Sequence, residues 1–289
     1  MAERSVMIGR RSGQVLVQDL GRPGYAHLGV GTSGAADRES LKLANRLVGN
    51  DESSACLEVA LGGLEFETDH SSWISVTGAP VPVRIGARRA WSHQALFVRA
   101  GEVVVLGIPT EGLRSYVAIR GGIDTALVLN SRSADTMSGI GGGPLEVGDR
   151  IAVGTTDTQI PGVDVIPPLQ VDSGTVVLDA IPGPRADWFT ASALETLYGS
   201  EFEVTSDADR VGIRLSGPGL ERRITSELAS EGVVCGSLQA PPDGRLTLFL
   251  ADHPVTGGYP VIAVIRAHQI SAAAQLRPGQ SVRFKHVAD

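Results

Sequence analysis

Glycine and proline interrupt this chain so often that few long regular elements can form. The 289 residues include 36 glycines and 16 prolines, and both residue types disfavour the interior of a helix. Between them lie short apolar runs such as Val15 to Leu20, Val81 to Ile85 and Val103 to Ile108. Aromatic residues make up only 4%, so the core must be aliphatic. This pattern predicts a mainly β fold, an antiparallel sandwich or barrel with a few short helices.

The order of elements repeats in the two halves of the chain. In each half a strand leads to a helix, one after Asp37 and one from about Ala186 to Leu197, and then to a Gly-Leu-Glu turn and further strands. A glycine-bearing turn precedes the last strand of each half. We therefore predict two related β-rich domains, 1–165 and 166–289. The polar, proline-bearing stretch from Pro161 to Gly174 is the predicted linker.

The composition excludes several classes of function. A net charge of −7 argues against nucleic acid or an anionic membrane as the main partner. Cys56 and Cys235 lie in apolar runs without the spacing of a zinc site, and free thiols in a reducing cytoplasm are favoured over a disulfide. Met1 to Arg11 lacks the apolar region of a signal peptide, and no run is long enough to span a bilayer. We expect a cytoplasmic protein.

The segment from Gly31 to Arg38 is the first candidate site. Glycines flank Ser33, and the predicted helix begins just after Asp37. Free backbone N–H groups and the helix dipole at such a position favour a carboxylate or phosphate. Ser33 and Gly34 are therefore candidate binding residues. Asp37 taken alone is better explained as an ordinary N-cap.

Two arginines lie in loops that follow strands. Arg120 precedes two glycines, and Arg132 lies between Ser131 and Ser133. A guanidinium offers a planar fork of donors that suits a carboxylate. An Arg–Asp ion pair buried between two loops explains Arg132 equally well, so both interpretations stay open. The run from Met137 to Pro144 lacks the Lys-Ser/Thr ending of a phosphate-binding loop and is predicted to be a flexible loop or lid.

Asp252 is the strongest single candidate in the second half. It follows the apolar strand Leu246 to Leu250 and precedes the glycine-bearing segment from Thr256 to Tyr259. A carboxylate at the mouth of a core strand needs partners, which favours a role in a site. Gln239 precedes a predicted β-turn, and a surface histidine explains His253 better than a proton carrier does. The sequence contains no Ser-His-Asp order, no HExxH motif and no acidic cluster with metal-ligand spacing.

Several of these segments together resemble one family. Over nearly the whole chain the sequence resembles the 5-oxoprolinase C-subunit family, also called allophanate hydrolase subunit 2 or the biotin-dependent carboxyltransferase family. The segments that carry the resemblance are Val17 to Tyr25, Ser33 to Arg38, Leu43 to Asn45, Leu47 to Asn50, Arg120 to Ile123, Ser131 to Ser133, Ser230 to Val233 and Thr256 to Pro260. The resemblance implies two tandem cyclophilin-like β-barrel domains.

The resemblance also implies a function, for which we consider three hypotheses. The first is that the chain is one component of an ATP-dependent 5-oxoprolinase that opens the lactam to glutamate. It would act with a paralogous partner, the 5-oxoprolinase B-subunit or allophanate hydrolase subunit 1, and with the 5-oxoprolinase A-subunit as a third component. ATP with Mg could be held by one of these partners. The second hypothesis is half of a carboxyltransferase acting on urea or a related amide, with biotin delivered by another protein. The third is a non-catalytic regulatory binding subunit.

Specific residues are assigned roles under these hypotheses. Asp252 would orient a nucleophile or a substrate amide, Arg132 would stabilise an oxyanion or phosphate, and Asp37 would cap or bind. The predicted substrate-binding residues are Ser33, Gly34, Arg120, Ser131, Gln239, Thr256, Gly257, Gly258 and Tyr259. Where many family members carry Arg-Gln-Thr after the aspartate, this chain has His253, Pro254 and Val255, which changes the substrate contacts expected from that loop.

Overall fold

β-Strands dominate the chain, and the helices are few and short. The computed structural model describes residues 4–162, 166–167, 174–242 and 244–288. The strands are β1 (Ser5–Arg10), β2 (Val15–Gln18), β3 (Cys56–Ala60), β4 (Glu65–Thr68), β5 (Ser72–Gly78), β6 (Pro82–Ile85), β7 (Arg88–Trp91), β8 (Ala95–Val98), β9 (Val103–Leu106), β10 (Arg114–Ile119), β11 (Arg150–Ala152), β12 (Val176–Pro182), β13 (Glu201–Val204), β14 (Gly212–Ser216), β15 (Glu231–Gly232), β16 (Ser237–Gln239), β17 (Leu246–Phe249), β18 (Thr256–Gly257), β19 (Val261–Ile265) and β20 (Ser281–His286). The α-helices are α1 (Arg38–Leu47), α2 (Ala191–Gly199) and α3 (Ile270–Ala273). The predicted mainly β class with a few short helices is confirmed.

The described residues divide into two compact units. Unit 1 contains residues 4–22, 33–162 and 166–167, and unit 2 contains residues 23–32, 174–242 and 244–288. The predicted boundary between 1–165 and 166–289 falls beside residues 163–165 and 168–173, which lie outside the described residues. These nine residues make up most of the predicted linker. That boundary therefore stays a prediction.

Unit 1 is built from two antiparallel sheets. The strand orders are β11-β1-β4-β9-β6-β7 and β2-β3-β10-β5-β8. Every second residue of β4 and β6 is buried, because alternate side chains of a strand point to opposite faces. Apolar side chains from both sheets, such as Val6, Phe66, Ile74 and Val117, form one shared core.

The outer edge of β2 carries a loop in place of another strand. The backbone N–H of Ala134 donates to Val17 O at 3.0 Å, and that of Leu145 donates to Val15 O at 2.9 Å. The Gln18 side chain adds a bond from Nε2 to Ala134 O at 2.8 Å. Loop residues thus take backbone positions at this edge of the five-stranded sheet. The same bonds fix the loop around Ala134 against the end of β2.

Helix α1 lies against the five-stranded sheet and begins where the sequence predicts. The Asp37 side chain accepts a hydrogen bond from the Ser40 N–H at 3.0 Å, which confirms the N-cap. On β5, the hydroxyls of Ser75 and Thr77 donate to Ala44 O and Ser40 O, each at 2.6 Å. These bonds tie the helix to the sheet, so the loop that precedes the helix has a fixed end.

Unit 2 is a closed barrel. Its seven strands follow the order β12-β19-β16-β17-β14-β13-β20, and the barrel closes through a parallel pairing of β12 with β20 that places Val176 opposite Val282. Leucines such as Leu178, Leu238 and Leu248 fill its core. Among the described residues, backbone pairing closes this barrel completely.

The helix of unit 2 starts later than the sequence predicts. The residues Ala186–Trp188 form a 3₁₀ turn, and α2 begins at Ala191. Thr190 sets this start, because its side-chain oxygen accepts a hydrogen bond from the Ala193 N–H at 3.2 Å. A threonine that satisfies a free N–H group at a helix start is a strong N-cap.

Two predictions from composition can be compared with the described residues. Both cysteines carry free thiols, as predicted, and burial raises the pKa of the Cys56 thiol. Within the described ranges, no helix combines the length and the apolar character needed to cross a bilayer.

Candidate functional site

Asp19 is the centre of a buried polar group in unit 1. It directly follows β2, and its carboxylate accepts hydrogen bonds from the Ser131 hydroxyl at 2.7 Å and from the Ser133 hydroxyl. The backbone N–H groups of Gly21 and Arg132 also donate to it, each at 2.7 Å. Bonds from several donors to one carboxylate are stronger than neutral pairs, so they hold loop 131–133 against the end of β2. We call the following residues the Asp19 cluster: Asp19, Arg22, Ser131, Arg132 and Ser133.

Arg22 is fully buried, with 1% of its surface exposed. Its Nη2 donates to Ser133 O, and its Nε donates to Val128 O at 3.5 Å. Among the described residues no carboxylate forms an ion pair with it, and Nη1 has no hydrogen-bond partner. A guanidinium remains protonated in proteins, and a buried charge is costly unless it is paired. Within the described part of the chain, the Asp19 cluster therefore contains a positive charge without a direct counter-ion.

Backbone strain is concentrated around this cluster. Ser33 (φ 51°), Leu129 (φ 52°) and Asn130 (φ 61°) are three of the five described non-glycine residues with positive φ. Gly34, with φ 90°, packs so closely that an added Cβ would lie 2.7 Å from the Gly21 nitrogen. Left-handed conformations cost L-residues free energy and recur at functional sites. The strain supports a functional role for these loops.

A buried polar pair lies beneath the loop of residues 33–37. The Tyr116 hydroxyl donates to Glu58 Oε2 at 2.7 Å and accepts a hydrogen bond from the Asp37 N–H at 2.8 Å. The same Glu58 oxygen accepts a bond from the Ala36 N–H at 3.0 Å. Burial raises the pKa of Tyr116, so its hydroxyl stays protonated and donates to Glu58. The pair fixes two backbone N–H groups that precede α1.

Four of the predicted residues of unit 1 lie around Asp19, namely Ser33, Gly34, Ser131 and Arg132. Ser33 Oγ donates to Ala134 O at 3.3 Å, which places it beside loop 131–133. The Arg132 side chain forms an ion pair with Asp124, and these side chains are 28% and 56% exposed. Arg132 thus pairs with an aspartate, but this pair lies near the surface and not buried between the loops as the ion-pair interpretation expects. Arg132 Nε is buried and has no hydrogen-bond partner within the described ranges.

The other two predicted residues of unit 1 have different surroundings. Asp37 is 2% exposed and caps α1. Arg120 Nη1 donates to Val48 O at 2.7 Å, and its Nη2 donates to Thr158 O. Arg120 therefore connects the end of α1 to the segment around Thr158, and a substrate-binding role for it stays a prediction.

In unit 2, Asp252 forms a fully buried ion pair with Arg210. The two side chains are 0% and 2% exposed. Arg210 Nε and Nη2 donate to Asp252 Oδ2 and Oδ1, each at 2.9 Å, and the Asp252 N–H donates to Arg210 O at 2.9 Å. This bidentate geometry is the strongest arrangement for an arginine and a carboxylate. It holds Asp252 in one orientation, and its catalytic role stays a prediction.

The glycine-bearing segment of unit 2 forms part of a short ribbon. Strand β18 (Thr256–Gly257) pairs with β15 (Glu231–Gly232). Gln239 Nε2 donates to Tyr259 O at 3.0 Å, and a Cβ added to Gly257 would lie 2.7 Å from the same Nε2 atom. Gly258 follows on the exposed side, and Tyr259 is 45% exposed. Five of the predicted substrate-binding residues are thus neighbours: Gln239, Thr256, Gly257, Gly258 and Tyr259.

A cavity of about 250 Å³ lies next to this ribbon. Its lining includes two carboxylates, Asp207 and Asp209, together with Arg214 and the predicted residues Gln239 and Tyr259. Asp252 is not part of the lining. Within the described residues, no group of three or more His, Cys, Asp or Glu side chains is arranged to hold a metal ion.

Glu231 on β15 was not assigned a role from the sequence. Arg185 Nε and Nη2 both donate to Glu231 Oε2, at 2.9 and 2.6 Å. The other carboxylate oxygen, Oε1, is buried and has no hydrogen-bond partner among the described residues. Glu231 lies opposite Gly257 in the ribbon, so it belongs to the same group of neighbours as the predicted loop.

Known proteins similar to this chain identify its family. Residues 28–286 match the carboxyltransferase domain family, subdomain A and B. The chain belongs to this family. The 5-oxoprolinase C-subunit of Escherichia coli K12 is 36% identical over 273 residues, which cover 93% of this chain and 86% of that protein. The 5-oxoprolinase C-subunit of Haemophilus influenzae is 30% identical and covers 94% of this chain and 88% of that protein.

Solved structures of similar proteins share the fold. A crystal structure of TTHA0988 matches with a TM-score of 0.89 and 30% identity, covering 98% of this chain and 56% of that chain. The urea amidolyase of Kluyveromyces lactis matches with a TM-score of 0.90 and 26% identity, covering 98% of this chain and 19% of that chain. This carboxyltransferase-family chain therefore spans about half of the first solved protein and about a fifth of the second.

Three buried site residues were missed by sequence reasoning, namely Asp19, Arg22 and Arg210. Asp19 follows an apolar strand directly, which is the same signal that singled out Asp252. The stretch containing Arg210 has the pattern of a solvated turn before a strand, because two aspartates precede the arginine. Nothing in the local pattern distinguishes Arg22, which lies in a Gly-Arg-Pro-Gly turn.

Proposed function

We propose that this protein is one component of an ATP-dependent 5-oxoprolinase, a cyclic amide hydrolase that forms glutamate and acts only in a complex. The names of the relatives from Escherichia coli and Haemophilus influenzae, which align over most of their length, support this substrate. The observation that carries the proposal is the position of Ser33, Gly34, Ser131 and Arg132 around Asp19. The proposed partners are the paralogous B-subunit and, as a third component, the A-subunit of 5-oxoprolinase, in the cytoplasm.

The Asp19 cluster suits the opening of an amide. The carbonyl oxygen of a lactam must gain negative charge before its C–N bond breaks. Donors that are fixed before the reaction stabilise such charge best. The backbone of Arg132 is fixed by Asp19, and its side chain is partly exposed with a buried Nε that lacks a partner among the described residues. We assign oxyanion binding to Arg132 and a positioning role to Asp19.

The predicted residues of unit 2 are assigned to substrate binding. Gln239 is held by Tyr259, and both contribute to the wall of the cavity. The Gln239 amide and the Tyr259 hydroxyl can bond an amide or carboxyl group. We assign Asp252 a positioning role and not direct contact with the substrate. Both of its carboxylate oxygens already accept hydrogen bonds from Arg210.

The cavity beside the ribbon does not suit the nucleotide itself. The cavity of about 250 Å³ presents Asp207 and Asp209, whose carboxylates repel a triphosphate. The described residues also provide no group of three acidic or histidine side chains for a magnesium ion, and the sequence lacks a phosphate-binding loop motif. We therefore assign ATP with Mg to one of the partner subunits.

An assay of the reconstituted complex tests this proposal. We would measure 5-oxoproline-dependent ATP hydrolysis and glutamate release, with the chain alone and with its partner subunits. We expect activity only in the mixture, and Arg132→Gln should lower turnover by about ten-fold or more, since one donor to a developing oxyanion is worth at least that much. Arg46→Gln is the matched control, because Arg46 forms an exposed ion pair with Glu52.

Two results would count against the proposal. An assembled, folded mixture without 5-oxoproline-dependent activity would refute the 5-oxoprolinase assignment. Full activity of Arg132→Gln would remove the oxyanion role from Arg132.

Carboxyl transfer is the second candidate function. The family description and the fold similarity to urea amidolyase favour it. A carboxylated biotin delivered by another protein would supply the carboxyl group, and the residues of this chain would bind and orient an amide acceptor such as urea. Avidin should block a biotin-dependent carboxylation and leave 5-oxoproline hydrolysis unchanged, which distinguishes the two functions.

A further inference from the structure

The guanidinium of Arg22 is hydrogen-bonded to the dipoles of backbone carbonyls and not to charged groups. Its Nη2 and Nε donate to the carbonyl oxygens of Ser133 and Val128, and each carbonyl supplies only a partial negative charge. The Nη1 atom carries two N–H donors, is buried and has no acceptor among the described residues. A planar guanidinium with free donors on one side is suited to bind a carboxylate.

The carboxylates of the surrounding loops are bonded to other donors. Asp19 accepts from two hydroxyls and two backbone N–H groups. Asp135 Oδ1 accepts from the N–H groups of Met137 and Ser138, at 2.9 and 3.1 Å. Asp19 is linked to Arg22 through Ser133, whose hydroxyl donates to Asp19 while its carbonyl accepts from Arg22. The described part of the fold thus orients the guanidinium without supplying an anion to Nη1.

A glycine-bearing loop covers the guanidinium. A Cβ added at Gly141 would lie 1.9 Å from Ser133 O and 2.8 Å from Arg22 Nη2, so only a bare backbone fits directly over Arg22. By contrast, Cβ atoms added at Gly139, Gly142 or Gly143 would have nothing within 4 Å among the described residues. The cover is therefore one backbone segment with open space beside it.

We infer that Arg22 binds the carboxylate of the small-molecule substrate through Nη1, and that residues 139–143 move aside to admit it. The inference rests on the proposed function, because 5-oxoproline carries a single carboxylate beside its lactam amide. Arg22 and Arg132 belong to the same cluster through Ser133 and Asp19. A substrate anchored by its carboxylate at Arg22 would thus be bound by the loops that carry Arg132.

Calorimetric titration of the full chain tests the inference with three probes. These are 5-oxoproline, 2-pyrrolidinone, which is the same lactam without the carboxylate, and acetate, which is a carboxylate alone. The wild-type protein should bind 5-oxoproline about ten-fold or more tightly than 2-pyrrolidinone. Arg22→Gln should abolish this preference and the binding of acetate, and Arg22→Lys should retain part of both, because it keeps the charge and loses the fork.

The control variant is Arg46→Gln, whose titrations should match those of the wild type. Denaturant unfolding of each variant shows whether Arg22→Gln is folded. If it is not, the preference of the wild type for 5-oxoproline over 2-pyrrolidinone still decides the matter, since equal affinities would overturn the inference. Wild-type affinity of folded Arg22→Gln for 5-oxoproline would overturn it as well.

The assembled complex separates this inference from the proposed function. Arg22→Gln should raise the KM for 5-oxoproline by about ten-fold or more. Turnover of 5-oxoproline with an unchanged KM in Arg22→Gln would leave the function standing and refute the carboxylate site. Binding of acetate and 5-oxoproline that depends on Arg22, without turnover in the complex, would support the site and refute the function.

Discussion

Arg22 in unit 1 and Arg210 in unit 2 are both buried almost completely, but the two arginines are bonded in different ways. Arg210 in unit 2 faces both oxygens of Asp252 at 2.9 Å. Arg22 in unit 1 faces two carbonyl oxygens, and its Nη1 has no partner among the described residues. The two residues are 2% and 1% exposed. Burial alone therefore does not indicate what a buried charge does.

The difference separates a structural charge from a binding charge. A paired guanidinium and carboxylate compensate for much of each other's lost hydration, and removal of either partner leaves a buried charge. Such a pair fixes the conformation of both side chains. An arginine bonded only to carbonyl oxygens lacks full compensation until an anion arrives. The strained residues Leu129 and Asn130 directly follow Val128, whose carbonyl accepts from Arg22, and they fit the same interpretation, since strain accumulates at functional sites.

The largest expected effect on stability comes from the substitution of Asp252. Asp252→Asn should lower the free energy of unfolding of the chain by about 3–5 kcal/mol, because it leaves Arg210 buried beside a neutral amide. Urea unfolding measures this directly. The double variant Arg210→Met/Asp252→Leu should recover most of the loss, since replacement of both charges by apolar groups is often neutral. Unchanged stability of Asp252→Asn would show that the ion pair between Arg210 and Asp252 does not stabilise the fold.

A smaller effect is expected when Arg22 is removed. Arg22→Met should change the free energy of unfolding by no more than about 1 kcal/mol, because the loss of two hydrogen bonds to carbonyls is offset by the loss of an incompletely compensated charge. Urea unfolding beside Asp252→Asn makes the comparison direct. A loss as large as that of Asp252→Asn would mean that Arg22 is structural, and the contrast between the two arginines would disappear.

Local chemistry made part of this fold predictable from the sequence. The start of α1 at Asp37 follows from a side chain that bonds an N–H group three residues later. The start of α2 was predicted too early, because Ala186 to Phe189 has a helical pattern while Thr190 supplies the N-cap. Strand β7 was not predicted, since its residues Arg88–Trp91 are mostly exposed and carry no apolar run.

The partners of the buried charges were not predictable in the same way. Arg22 meets Val128 and Ser133, which are 106 and 111 positions away, and Asp19 meets Ser131 across 112 positions. Arg210 and Asp252 are 42 positions apart. Nothing in a local pattern reports such contacts, because only the tertiary fold brings these residues together. The sequence therefore indicates which loops carry candidate functional groups but does not predict which charges are paired.

The smallest expected effect concerns another incompletely bonded group of unit 1, His93. This residue is fully buried, its Nδ1 lies 3.0 Å from Ser92 Oγ, and its Nε2 has no partner among the described residues. Burial lowers the pKa of His93 from its ordinary value of 6.5, while the charge of Asp37 acts in the opposite direction. The imidazole is therefore neutral in the folded protein at pH 7.

The lowered pKa predicts a stability that depends on pH in a defined direction. Below pH 6.5 the unfolded chain takes up a proton at His93 before the folded chain does, so the contribution to stability is complete above that pH and is lost as the pH falls through the folded pKa. His93→Asn should remove this loss while tolerating the φ of 66° at this position, because asparagine accepts left-handed backbone. Urea unfolding at about pH 7.5 and about pH 5 should therefore show a steeper decline for the wild type than for the variant. Equal declines would show that the protonation of His93 does not affect the free energy of unfolding. Among these incompletely bonded groups of unit 1, only Arg22 would then be expected to have a measurable role.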